Sequence, residues 1–200
     1  MMLAPLLLAL AWQAGPALPL ARSEVAGAAY AGGVAVVGGY LADGRSSGRV
    51  DLYRPGRGWS RLPSLPVEVN HASAVTSRDR LYVVGGRTAG YDTNLDVAEA
   101  WTPGRGGWRR LPPLPSTRGG SGLAAAAGMI VSVGGEEPAG TIASVYALRP
   151  HDAAWSRLPD LPTPRHGLAV VALGRTVYAV AGGPQPGLRV SDANERLTLP

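Results

Sequence analysis

Val34-Ala35-Val36-Val37-Gly38-Gly39 opens a unit that closes on Leu62-Pro63-Ser64-Leu65-Pro66. Between them lie a polar loop, the run Val50-Asp51-Leu52-Tyr53-Arg54-Pro55, a short turn and Trp59. The same order recurs along the chain. Its double glycines begin at Gly38, Gly85, Gly134 and Gly182, in steps of 47, 49 and 48, and Trp59, Trp108 and Trp155 step by 49 and 47. Each short apolar run stopped by glycines reads as a buried strand, and the paired glycines free two residues for positive φ and close backbone approach. A period near fifty residues built this way predicts an all-β chain of repeated four-stranded sheets arranged as a propeller.

The chain has 200 residues, 46% of them hydrophobic, which suits one domain with a sizeable core. Its 28 glycines and 18 prolines would suggest low complexity without a period, but most fall at fixed repeat offsets and read as turn chemistry. There is no Cys, hence no disulfide framework and no thiolate metal site. The net charge is +5 and all 19 basic residues are Arg. They are scattered over every repeat without a dense run, which argues against nucleic acid as the partner.

Met1 to Ala21 carries no charged side chain, and Leu3 to Ala11 is apolar apart from the break at Pro5. Ala9-Leu10-Ala11 presents small residues where a signal peptidase reads them, so residues 1–11 are expected to be a signal peptide and the protein secreted or periplasmic. A cytoplasmic chain that keeps this segment as an edge strand is the alternative. Gln13, Gly15, Pro16 and Pro19 argue against an integral membrane span. The propeller is expected over 12–200. Its units run about 20–66, 67–115, 116–162 and 163–200, the last completed by 12–19. Trp12 to Pro19 repeats the offset of Trp59 to Pro66, Trp108 to Pro115 and Trp155 to Pro162, so an outer strand begins near Trp12. The unit from Arg165 to Pro200 lacks that strand, and the expectation is four blades closed by the N-terminal strand, which removes unpaired edges. An incomplete propeller that assembles with another copy or a partner is the rival.

The double glycines Gly38-Gly39, Gly85-Gly86, Gly134-Gly135 and Gly182-Gly183, the residue before each turn, and Trp12, Trp59, Trp108 and Trp155 at one offset resemble the kelch repeat. The resemblance covers nearly the whole chain and is specific, because several features recur in one order at one period. It implies a kelch β-propeller of the short, exported bacterial kind. It also implies that the residue after each double glycine and the polar residues entering each first strand line one binding face. Those residues are Tyr40, Arg87, Glu136 and Glu137, beside Arg22, Asn70, His71, Arg118, Arg165 and His166, with Pro184 at the fourth place after a double glycine. Kelch-like copper oxidases use a Cys-linked Tyr, and that branch of the resemblance fails here for want of any Cys.

Sequence motifs for chemistry are sparse. No Lys is present for a Walker motif or a Schiff base, and His71, His151 and His166 lack metal-ligand spacing. No cofactor and no metal is expected. Three residues after the second Leu-Pro proline of each unit stand Arg22, Val69, Arg118 and Arg165. Repeat symmetry places them on one ring. There they form either a positive mouth for carboxylates or a set of packing residues paired with loop carboxylates such as Glu24 or Asp43. The expected function is a non-enzymatic binding module presenting a polar, Arg-rich face to a protein, peptide or acidic glycan. The alternative is a carbohydrate mutarotase or epimerase of sialic-acid type. There Arg118 and Arg165 would hold a carboxylate while Glu136 or His166 moves a proton.

Overall fold

The computed structural model describes Trp12 and residues 14–200, so the segment expected to be a signal peptide lies outside the described residues. Every sheet is antiparallel and each blade is a meander. Blade 1 holds β1 (Ala26–Tyr30), β2 (Gly33–Val37), β3 (Val50–Arg54) and β4 (Gly58–Leu62) in that order. Blade 2 repeats it with β5 (Ser73–Ser77), β6 (Arg80–Val84), β7 (Ala98–Trp101) and β8 (Arg109–Arg110). In blade 3 the two-residue strands β11 (Glu136–Glu137) and β12 (Gly140–Thr141) form a ribbon. The ribbon lies between the second and third strands of the meander β9 (Gly122–Ala126), β10 (Met129–Val133), β13 (Val145–Leu148) and β14 (Ser156–Leu158). Blade 4 has β15 (Ala169–Leu173), β16 (Thr176–Val180) and β17 (Asn194–Thr198).

Alternation along the strands divides each sheet between two neighbours. In blade 2, Leu81, Val83 and Trp101 face blade 1, while Tyr82, Val84, Ala98 and Ala100 face blade 3. Three apolar cores result, one between each successive pair of blades. The outer faces of the first and last blades stay open: Val34 is 49% exposed, Val171 53% and Leu173 68%. The all-β, four-bladed propeller architecture is as expected, but the closing strand is not. Among the described residues blade 4 has three strands, and Trp12 is fully exposed rather than paired with β17. The N-terminal segment lies instead against blade 1, where the Pro16 carbonyl accepts the Trp59 indole N–H at 3.0 Å. The indoles of Trp108 and Trp155 make the equivalent bond to Pro63 and Pro112, each at 2.8 Å, so the tryptophans join blades as their fixed offset implies.

The double glycines are the joints between blades. The second N–H of each pair donates across to the residue entering the next blade: Gly39 to Val69 O at 2.8 Å, Gly86 to Arg118 O at 2.9 Å and Gly135 to Arg165 O at 2.8 Å. The approach is so close that a Cβ on Gly85, whose φ is +66°, would lie 2.7 Å from the Arg118 carbonyl oxygen. In blade 4 the register differs from the sequence reading by one. Ala181 takes the first position with φ +57° and Gly182 the second, while Gly183 bridges to His166 as Tyr40, Arg87 and Glu136 bridge in their blades. Gly183, not Pro184, is therefore the fourth member of that set. Gly85→Val places a branched side chain at positive φ and against a backbone oxygen, and is expected to cost at least about 3 kcal/mol in chemical denaturation. Gly44→Ala, at φ +81° with nothing within 4 Å, is expected to cost only about 1 kcal/mol. Equal midpoints for the two variants would refute this account of the joint.

Candidate functional site

The segments that enter the first strands, and the loops between second and third strands, gather on one face. The entry segments are locked to one another by the backbone. His71 N–H donates to Glu24 O at 3.2 Å, Gly120 N–H to His71 O at 2.9 Å and Gly167 N–H to Gly120 O at 2.8 Å. All four residues have φ between +50° and +61°. One hydrogen-bonded chain thus crosses all four blades at equivalent positions.

The arginines entering the blades do not form a mouth. The side chains of Arg22, Arg118 and Arg165 are fully buried. Arg22 donates to Gly38 O, Arg49 O and the Asp51 carboxylate, and Arg118 to Gly134 O, Ser144 O, Ser144 Oγ and Ser116 Oγ. Arg165 donates to Ala179 O and pairs with Glu195 at 3.0 Å. Each thus pins the loop or strand of its own blade while its carbonyl, in Arg118 and Arg165, accepts the preceding joint. Burial pulls the Arg118 guanidinium down to about 10 and lowers that of Arg22 as well. The carboxylate partners also differ from those expected: Asp43 pairs with Arg45 at 2.8 Å and Glu24 lies 3.3 Å from His71.

The third strands supply the counterparts at one register position: Asp51, Glu99, Tyr146 and Glu195. Asp51 and Glu195 are ion-paired with their arginines, and Arg118 stacks over Tyr146 at 5.0 Å. In blade 2 the arginine is replaced by Val69, and Glu99 is left buried. Burial raises the Glu99 pKa, partly offset by Arg110 opposite it on β8.

The remaining predicted residues do come together. Arg87 of blade 2 donates to Glu136 Oε1 of blade 3 at 2.9 Å, and both are buried. Glu136 Oε2 lies 3.4 Å from His166 Nδ1 of blade 4, whose Nε2 faces the carbonyls of Gln185 and Gly187 at 3.1 and 3.2 Å. Asn70 Oδ1 accepts from His71 Nδ1 at 2.6 Å and Asn70 Nδ2 donates to Ser46 Oγ at 2.7 Å, and the Tyr40 ring meets His71 edge-on at 5.9 Å. Burial, then the Arg87 charge, lowers the His71 pKa and favours its neutral form. Sequence reasoning missed Asn94, which donates to Glu136 O at 2.6 Å, and Tyr91, whose ring lies 4.5 Å from the Arg87 guanidinium. Neither stands at a repeat-equivalent position that the glycine and tryptophan offsets mark. His166 Nε2 and Glu136 Oε1 thus have hydrogen-bonding protein partners, while Glu136 Oε2 is buried without one and faces His166 Nδ1.

A carboxyl whose pKa is higher in the folded than in the unfolded chain lowers stability as pH rises through that interval. The cost of Glu99 is absent below the unfolded value, near 4.3, and complete above the folded one. Glu99→Gln is therefore expected to stabilise the protein by about 1 kcal/mol at pH 7 and by nothing near pH 3. Denaturant midpoints at the two pH values measure this, and a loss of stability at pH 7 would refute it.

The sequence profile of the Kelch motif matches residues 69–115, which is blade 2 with its joint. Kelch-like protein 35 of Mus musculus is 31% identical over 141 residues, 70% of this chain and 23% of that protein. Kelch-like ECH-associated protein 1B of Danio rerio is 33% identical over 102 residues, 50% of this chain and 17% of that protein. The chain therefore spans only about a fifth of the length of these relatives. The solved structure of YjhT superposes with a TM-score of 0.77 at 18% identity, covering 92% of this chain and 64% of that one, a likeness of fold. The recurring joint, the four meander blades and these likenesses make the chain a kelch-repeat protein of β-propeller architecture.

Proposed function

We propose that this chain is a kelch interaction module that binds a protein or peptide segment on the face of its second-to-third-strand loops. Kelch repeats are interaction modules in general, and one relative carries association with another protein in its name. The observation that carries the reading is the division of labour on this face. The polar groups at its centre are committed to one another, while the loops around them form a stitched platform. Tyr40 OH donates to Ala89 O and Ser46 Oγ to Thr88 O, linking blades 1 and 2. Asn94 links blades 2 and 3, and Thr141 Oγ1 donates to Pro184 O of blade 4.

On that platform lie two open hollows. One, of about 450 Å³, is lined by Tyr91, Asp92, Glu137, Pro138 and Pro186, and the other, of about 520 Å³, by Arg45, Pro66, Glu68 and Thr88. Tyr91 is 43% exposed and the Arg45 side chain 75%. Tyrosine and arginine are the side chains that most often anchor protein interfaces, and a rigid frame lowers the entropy lost on binding. Small-molecule sites instead enclose most of their ligand, which these hollows do not. The enzymatic alternative needs Arg118 and Arg165 to reach a substrate, and both are buried with their hydrogen bonds directed into their own blade.

Selection of a displayed random-peptide library on the folded protein tests the proposal. Peptides enriched on the parent chain are expected to lose at least about tenfold in affinity, or roughly 1.4 kcal/mol, on the variant Tyr91→Ala with Arg45→Glu. They should bind normally to Asp79→Ala, at the β5–β6 turn. No enrichment, or loss only on Asp79→Ala, would overturn it.

A further inference from the structure

The two faces of the blades carry charge of opposite sign. Each antiparallel meander puts its strand-to-strand turns on the face away from the loops described above. In blade 1 these turns hold Arg57, with Arg54 at the end of β3. In blade 2 they hold Arg78 and Arg105, flanked by Arg80 and Arg109 on the adjoining strands. Arg149 and Arg175 follow in blades 3 and 4. Against these eight arginines stand two carboxylates, Asp79 and Asp152, an excess of six positive charges on a chain whose net charge is +5. Among the described residues none of the eight is ion-paired. The loop face is the reverse: Glu24, Asp43, Glu68, Asp92 and Asp192 are exposed there against Arg45 and Arg189. Arginines scattered along the chain are gathered in space, because equivalent turns share one face.

The charge is densest in blade 2. There a hollow of about 620 Å³ is lined by Arg80, Arg105, Arg109, Thr102 and Trp108, with Asp79 at its edge. Arg105 and Arg109 are exposed and Arg80 is half-buried, and the Trp108 indole is fixed as one wall by its bond to Pro63 O at 2.8 Å. We propose that the turn face docks on a membrane surface of acidic phospholipids and seats one headgroup phosphate in this hollow. Guanidinium forks match phosphate oxygens, and the Thr102 hydroxyl adds a donor. A half-buried indole is an amphipathic ring suited to headgroup depth. The occupant is a bilayer because of how the charges are spread. A nucleic-acid strand is tracked by a continuous basic groove, whereas here the hollow is confined to blade 2 and Arg57, Arg149 and Arg175 stand on separate blades. Headgroups move within their plane, so a spread of arginines is satisfied without a rigid match, and each one near the surface adds to the attraction. The turns of blade 1, β5–β6, β9–β10 and β15–β16 are two or three residues long, which keeps projections few. The acidic loop face then points away from the lipid, and the peptide reading of that face stands or falls separately.

Flotation of the whole chain with vesicles is the test. The protein is expected to float with phosphatidylcholine vesicles containing about 30% phosphatidylglycerol, not with phosphatidylcholine alone, and to be released at about 0.5 M salt. The triple variant Arg80→Glu, Arg105→Glu, Arg109→Glu is expected to weaken binding to the acidic vesicles at least about tenfold. Arg57→Glu with Arg149→Glu, both exposed and on other blades, is expected to weaken it at least about threefold while keeping the parent circular dichroism and melting temperature. That pair keeps the test decisive if the triple variant fails to fold. Arg189→Glu, on the loop face, should float as the parent does. No flotation with acidic vesicles, equal flotation with neutral ones, or equal loss on Arg189→Glu would overturn the proposal. So would full displacement by millimolar inorganic phosphate, which would make the hollow a site for free phosphate, or tighter binding of a DNA oligonucleotide than of the vesicles.

Discussion

A single backbone hydrogen bond recurs at every junction and sets the geometry of the rest. The N–H of the second glycine in each of the first three pairs reaches the carbonyl of the residue that enters the next blade. For that bond to form, the first glycine must approach the same carbonyl to a distance no Cβ tolerates, and both residues must adopt positive φ. The side chain of the entry residue then decides what its own blade looks like inside. Where it is arginine, the guanidinium ties down the loop between the second and third strands. One residue thus joins the preceding blade through its main chain and orders its own through its side chain. Buried guanidinium groups are costly unless every donor is matched, and carbonyls, hydroxyls and carboxylates supply most of the matches here.

That arrangement frees the next positions along the chain. The residue after each joint, Tyr40, Arg87, Glu136 or Gly183, sits at one rim but carries different chemistry in every blade. Arg87, Glu136 and His166 come from three blades and meet only because the joints hold those blades in register. The charge pair is buried, so its worth lies in fixing the relative position of the blades more than in net stability. Around it the longer loops are tied to their neighbours, and the side chains left outward are the ones a partner meets.

The period, the blades and the joints were legible in the sequence because glycine and tryptophan answer to constraints that leave few substitutes. The placement of the arginines was not legible. Repeat symmetry puts Arg22, Arg118 and Arg165 on one ring, but it does not say whether their side chains point toward the axis or into their own sheets. The buried partners Asp51, Tyr146 and Glu195 that settle the direction lie about thirty residues further on, at a register position that pairing alone reveals. The one-residue shift in blade 4 was hidden by the run Ala181-Gly182-Gly183, in which the visible pair is not the pair that occupies the joint. Asn94 and Tyr91 were missed because they belong to a loop whose length varies between repeats.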